Sequence, residues 1–194
     1  MRTIAIVVLG VAPLAAQVRS QPVSMPETAK VAPAEPGTIP NLGASRVSQE
    51  SLNVLQSGFD SDLAGFDIND TIDVIGRTRG VYLNDYGVIF TAEISPVITP
   101  GITPWVQKIP EDTKIAVHKR KLERMTPIRR LMGQMMMRAA DQLKLLPNDQ
   151  QIVLSVRFLY LPYEYTQGLP VRITMKGDKR SVLAGKYTTD EQAQ

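Results

Sequence analysis

The chain has 194 residues, 43% hydrophobic and 21% charged, with a formal net charge of +3 and a mean hydropathy of −0.08. That suits one globular domain and excludes both a wholly disordered chain and a multispanning membrane protein. With no cysteine and one histidine, His118, the chain has no disulfide, thiolate nucleophile, iron–sulfur cluster or multi-His metal site, and any Ser-His-Asp triad would have to use His118.

Residues 1–16 have the pattern of a secretory signal. Arg2 supplies a positive start, and Ile4 to Ala12 form an apolar run too short to cross a bilayer, which Pro13 ends. Cleavage after Ala16 would leave Gln17 first. The expectation is export to a periplasmic or extracellular location, without a lipid anchor because no cysteine follows the run. Residues 17–46 contain Pro22, Pro26, Pro33, Pro36 and Pro40 and no aromatic side chain, so they read as a disordered Pro/Ala-rich tether.

A single folded domain is expected over 47–187. Ser48 caps a helix whose Leu52, Leu55, Phe59 and Leu63 repeat every three or four residues, the spacing of one buried stripe. From Glu50 to Asp73 there are six carboxylates and no Lys or Arg. Asp60, Asp62 and Asp67 lack the spacing of an EF-hand loop, so they read as caps and solvated loop groups, and no metal is expected. Thr71–Leu83 and Val88–Ile94 then form a hairpin across Asn84-Asp-Tyr-Gly87. Gly76 and Gly80 share a face of the first strand, where they either admit a close helix backbone or mark a bulge. The proline-rich segment 95–110 ends near Trp105, read as a plug on the core, with a platform for sugar or peptide as the alternative.

Residues 111–146 carry the longest helical pattern. Ile115, His118, Leu122 and Met125 form one stripe, and Ile128, Met132, Met135, Ala139, Leu143 and Leu146 a second, rotated one. The seam changes at Pro127, which predicts two helical segments with Thr126 capping the second. Nine Lys and Arg residues outnumber four carboxylates here. Lys119, Arg120, Arg124 and Arg130 read either as a solvated helix face or as a binding face for anionic groups. The methionines from Met125 to Met137 read as core filler, and His118 as a satisfied residue at the core's edge.

Gln151–Leu161 is apolar on both faces, as a central strand requires. A turn over Pro162–Gly168, bearing Tyr163 and Tyr165, leads to a one-sided strand from Val171 to Lys176. A short helix or third strand follows Gly177, and 188–194 read as a frayed tail. This order implies an α+β fold: an antiparallel sheet of four to five strands, with the N-terminal helix and the long, proline-broken helix packed on one face. The element order is reminiscent of roadblock-like and profilin-like modules. The phrases Gly76-Arg-Thr-Arg-Gly-Val-Tyr-Leu-Asn-Asp-Tyr-Gly-Val-Ile-Phe90 and Val156-Arg-Phe-Leu-Tyr-Leu-Pro-Tyr-Glu164 resemble a group of exported bacterial proteins with no assigned activity. That resemblance spans the 47–187 region and carries over no functional residue.

No Gly-rich phosphate loop, zinc motif or nucleophile elbow is present, and no cofactor is called for. The leading expectation is a non-catalytic exported binding or assembly module. It would use the basic helix face, with Trp105, Tyr163 and Tyr165, toward an anionic envelope component (a lipid headgroup or cell-wall polymer) or another envelope protein. Self-association is a further option, and export disfavours nucleic acid. The alternative is a glycan hydrolase-like enzyme, in which Glu93 and Glu164 would have to stand about 5 to 10 Å apart.

Overall fold

The computed structural model describes residues 47–193, except 68–70, 103 and 105–107. The expected leader over 1–16, the expected tether over 17–46 and the placement of Trp105 lie outside the described residues. The described chain opens with α1 (Gln49–Ala64). The Ser48 side chain accepts the Ser51 N–H, as a cap should, and Leu52, Leu55, Phe59 and Leu63 are all buried. Phe59 meets Phe90 edge to face, with ring centroids 5.0 Å apart.

A mixed sheet follows. Its strands are β1 (Asp73–Val74), β2 (Arg79–Leu83), β3 (Gly87–Ser95), β4 (Gln151–Phe158), β5 (Pro170–Asp178) and β6 (Thr188–Ala193), in the order β1-β3-β4-β5-β6, with β2 also paired to β3. The predicted first strand is thus split. Thr78 gives its N–H to Asp60 Oδ1 of α1 at 2.8 Å, so the 75–78 segment turns toward the helix between two short ladders. A Cβ at Gly80 would stand 2.7 Å from the Phe90 ring, so this glycine makes room for an aromatic side chain, not for the helix backbone. At Gly87, φ is +135° and a Cβ would lie 1.9 Å from the Gln151 carbonyl, so only glycine fits where β4 starts alongside.

The wholly antiparallel sheet is corrected, because β3 and β4 run parallel, with Gly87 opposite Gln151 and Ile94 opposite Phe158. The connection is α2 (Glu111–Gln142), 32 residues long, or about 48 Å at the usual rise. It carries the chain back to the end of the sheet from which β3 departed, and a parallel pair needs such a crossover. The frayed tail is also corrected: residues 188–193 form β6, antiparallel to β5. Between them lies α3 (Lys179–Leu183), whose cap Asp178 accepts the Ser181 N–H.

The helices share one face of the sheet. Val88, Phe90, Ala92 and Ile94 of β3, Ile152, Leu154, Val156 and Phe158 of β4, and Ile173 and Met175 of β5 form a single core with α1 and α2. The break at Pro127 does not form; α2 runs through it. Thr126 and Pro127 are exposed while Met125 and Ile128 are buried, so the proline lies on the solvent side of the helix. An interior proline costs about 3 kcal/mol, which burying two such side chains offsets at about 1.5 to 3 kcal/mol each. The buried stripe is one continuous line through Val117, Lys121, Met125, Ile128, Met132, Met135 and Ala139. Of the predicted first stripe Met125 lies on that line, whereas Ile115 and Leu122 point away from it, 55% and 41% exposed. Lys179 closes the far end of the helix: its Nζ donates to the carbonyls of Leu143 and Leu146, both at 2.8 Å.

Candidate functional site

Because α1 and α2 cover one face of the sheet, side chains alternating with the core project from the other, which no described element covers. The register sorts them into rows running across the strands. Val81, Ile89, Val153 and Lys176 form one row, and Arg79, Thr91, Ser155, Thr174 and Asp190 the next. A third row holds Glu93, Arg157, Arg172 and Gln192. Arg77 joins Arg79 from the segment between β1 and β2. Its neighbour Thr78 is buried and tied to Asp60, which leaves both arginines exposed.

Arg77, Arg79, Arg157 and Arg172 together line a concavity of about 500 Å³, with Thr91 and Ser155 on its floor and Glu93 as its one carboxylate. Glu93 Oε1 lies 3.4 Å from Arg157 Nη1, and among the described residues no carboxylate lies within ion-pair distance of Arg77, Arg79 or Arg172. Arg157 and Arg172 stand directly opposite each other on adjacent strands, an arrangement that destabilises a sheet by like-charge repulsion. The Ser155 and Thr174 hydroxyls lie 3.2 Å apart beside them. Four forked donors and a line of hydroxyls around an open hollow suit phosphate or carboxylate oxygens.

The residues expected to form a basic helix face are placed differently. Arg124 is buried, donates to the Pro96 carbonyl at 2.6 Å and lies 5.1 Å from the Phe66 ring centroid, so it is removed from that face. It satisfies a carbonyl where the chain leaves β3. Lys119 is exposed, 4.0 Å from Glu123, and Arg120 and Arg130 are exposed. Arg130 borders a groove with Asp62, Phe66 and Pro127. The Tyr163 hydroxyl donates to the Pro100 carbonyl and that of Tyr165 to Glu111 Oε1, while Tyr165 itself stays exposed. The Tyr165 bond, with help from Lys114, holds the Glu111 carboxyl below its ordinary value. His118 Nδ1 meets the Tyr165 carbonyl at 2.9 Å, as expected of a satisfied histidine.

Glu93 and Glu164 do not converge. Glu93 projects from the uncovered sheet face, whereas Glu164 Oε2 accepts from Lys121 Nζ of α2 at 2.5 Å and from the Leu161 N–H at 3.0 Å, with both ion-pair side chains buried. The Lys121 ammonium lies 5.1 Å from the Tyr160 ring centroid. Burial pulls the Lys121 pKa below its usual value, opposed by the Glu164 hydrogen bond, and burial pushes the Tyr160 hydroxyl far above its own. Glu93 therefore lines the concavity, whereas Glu164 is taken up by Lys121 of α2 and is not part of that lining.

Strand alternation marks Arg157 and Arg172 as outward, but their convergence with Arg77 and Arg79 was not legible, because it depends on β4 lying beside β3. Comparison with protein-family models, curated proteins and solved structures finds no match.

Proposed function

We propose that the chain is a non-catalytic binding module of the cell envelope, and that the uncovered sheet face recognises anionic groups on an envelope component. The observation that carries this reading is the set of four arginines around one concavity, three of them without a carboxylate partner among the described residues. Such a cluster repels itself when empty, and a bound phosphate or carboxylate relieves the repulsion. Self-repulsion across Arg157 and Arg172 is a stability cost consistent with a surface kept for binding. The helix surface at Lys119, Arg120 and Arg130 is a weaker candidate, because it has lost Arg124 to the core and Lys119 already faces Glu123. Export agrees with the Arg2 and Ile4–Ala12 pattern, and recovery of an envelope form beginning at Gln17 is the corresponding expectation.

Titration with glycerol 3-phosphate, followed by calorimetry and backbone amide shifts, tests the site. Arg79→Gln with Arg172→Gln should weaken binding by at least tenfold and remove the shifts on β3 and β4, whereas Lys119→Gln with Arg120→Gln and Arg130→Gln should leave both unchanged. The reverse pattern would transfer recognition to the helix and overturn the assignment.

A further inference from the structure

The uncovered face changes character along its strands. At the end nearest the β2–β3 turn, Val81 and Leu83 are 53% and 43% exposed, Tyr86 is exposed beside them, and Ile89 and Val153 continue the row across the sheet. Val153 is nearly covered by its neighbours, and Lys176, opposite it, places its ammonium 5.8 Å from the Tyr86 ring centroid. Two residues further along comes the row of Arg79, Thr91, Ser155 and Thr174, and two beyond that the row of Arg157 and Arg172. Alternate positions in a strand are about 7 Å apart, so the apolar row lies about 7 Å from the row of Arg79 and the hydroxyls and about 13 Å from Arg157 and Arg172.

A free inorganic anion or a fully hydrophilic polymer would use only the arginine end and leave the apolar row in water. An anionic lipid uses all three rows: phosphate oxygens on the arginines, glycerol oxygens on the hydroxyls, and the first methylenes of an acyl chain over Val81 and Ile89. On that complementarity we propose that the ligand of this face is an acylated phosphate, an anionic membrane lipid bound headgroup-first to Arg77, Arg79, Arg157 and Arg172. The proposal rests on the anion-binding reading above and deepens it by naming the ligand class.

The test compares three soluble probes by calorimetry below their micellar concentrations: dihexanoylphosphatidylglycerol, dihexanoylphosphatidylcholine and glycerol 3-phosphate. The acylated anion should bind at least tenfold more tightly than glycerol 3-phosphate, and the zwitterionic lipid at least tenfold more weakly than the acylated anion. Val81→Asn, at an exposed position that leaves the core untouched, should remove most of the acyl gain without changing glycerol 3-phosphate affinity. Equal affinity for the two anions would overturn the lipid assignment and leave the anion site standing. Binding of neither anion would overturn both. Equal binding of the two lipids would overturn the headgroup-first mode. An oligoglutamate peptide that displaces the acylated anion and binds Val81→Asn as tightly as the unaltered chain would place an acidic protein partner there instead.

Discussion

From Ile128 to Ala140, α2 meets the sheet with Ile128, Met132, Met135, Met136, Ala139 and Ala140. From Val117 to Arg124 the same line of the same helix presents Lys121 and Arg124. In the second half burial is its own reward, because each apolar side chain gains by leaving water and needs no particular partner. In the first half, beside Val117, the polar groups turned inward require a named one: Glu164 for Lys121, the Pro96 carbonyl for Arg124, and the Tyr165 carbonyl for the half-buried His118. These partners come from the segment after β3 and the turn after β4. The apolar half of the helix therefore builds the domain, and the charged half fastens two loops to it.

Breaking the first half should cost most. Lys121→Ala leaves Glu164 buried without its cation and should destabilise by about 3 to 5 kcal/mol in urea unfolding. Changing both partners, Lys121→Met with Glu164→Gln, keeps an acceptor for the Leu161 N–H and should recover at least half of that loss. Failure to recover would mean that the ion pair is needed as such.

In the second half, Met132→Ala should cost about 2 to 5 kcal/mol through the cavity it leaves, with no partner substitution able to rescue it. The contrast sharpens at the exposed stripe. Ile115→Ser with Leu122→Ser should change stability by less than about 0.5 kcal/mol each, although the helical spacing taken alone would assign both to the core.

The smallest effect lies near the junction of the halves, where Arg129 holds Glu191 of β6 through Nε and Nη2 at 2.5 and 2.7 Å. The bond lowers the Glu191 pKa from 4.5, so the folded carboxyl binds its proton less readily than the unfolded one. Its stabilising contribution is therefore present above pH 4.5 and is lost as pH falls through the depressed value. Arg129→Gln should lower the neutral plateau of a Tm-against-pH curve slightly and leave the acid end unmoved, so that the limb below pH 4.5 flattens.

The same division explains which parts of the fold and the site could be read in advance. The α1 stripe, its Ser48 cap, the β2–β3 turn, the apolar β4 and the methionine side of α2 follow from period and local chemistry, and each stands where that chemistry places it except Met137, which points to solvent instead of filling the core. Lys121 and Arg124 were unreadable as buried groups because their partners lie 43 and 28 residues away. The arginine face was half visible: alternation marks Arg157 and Arg172 as outward, but two outward arginines on separate strands are an ordinary wet surface until something brings them together.

What residue order alone determined are the properties that arise within a few residues: helix and strand period, caps, turns, and the absence of cysteine chemistry. Only the tertiary structure decided that β4 runs parallel to β3, that α2 continues past Pro127, that residues 188–193 close the sheet, and that four arginines share one hollow. Each of these turns on a balance struck between distant segments. Periodicity reports where a side chain points relative to its own backbone, and not which other backbone will be waiting there.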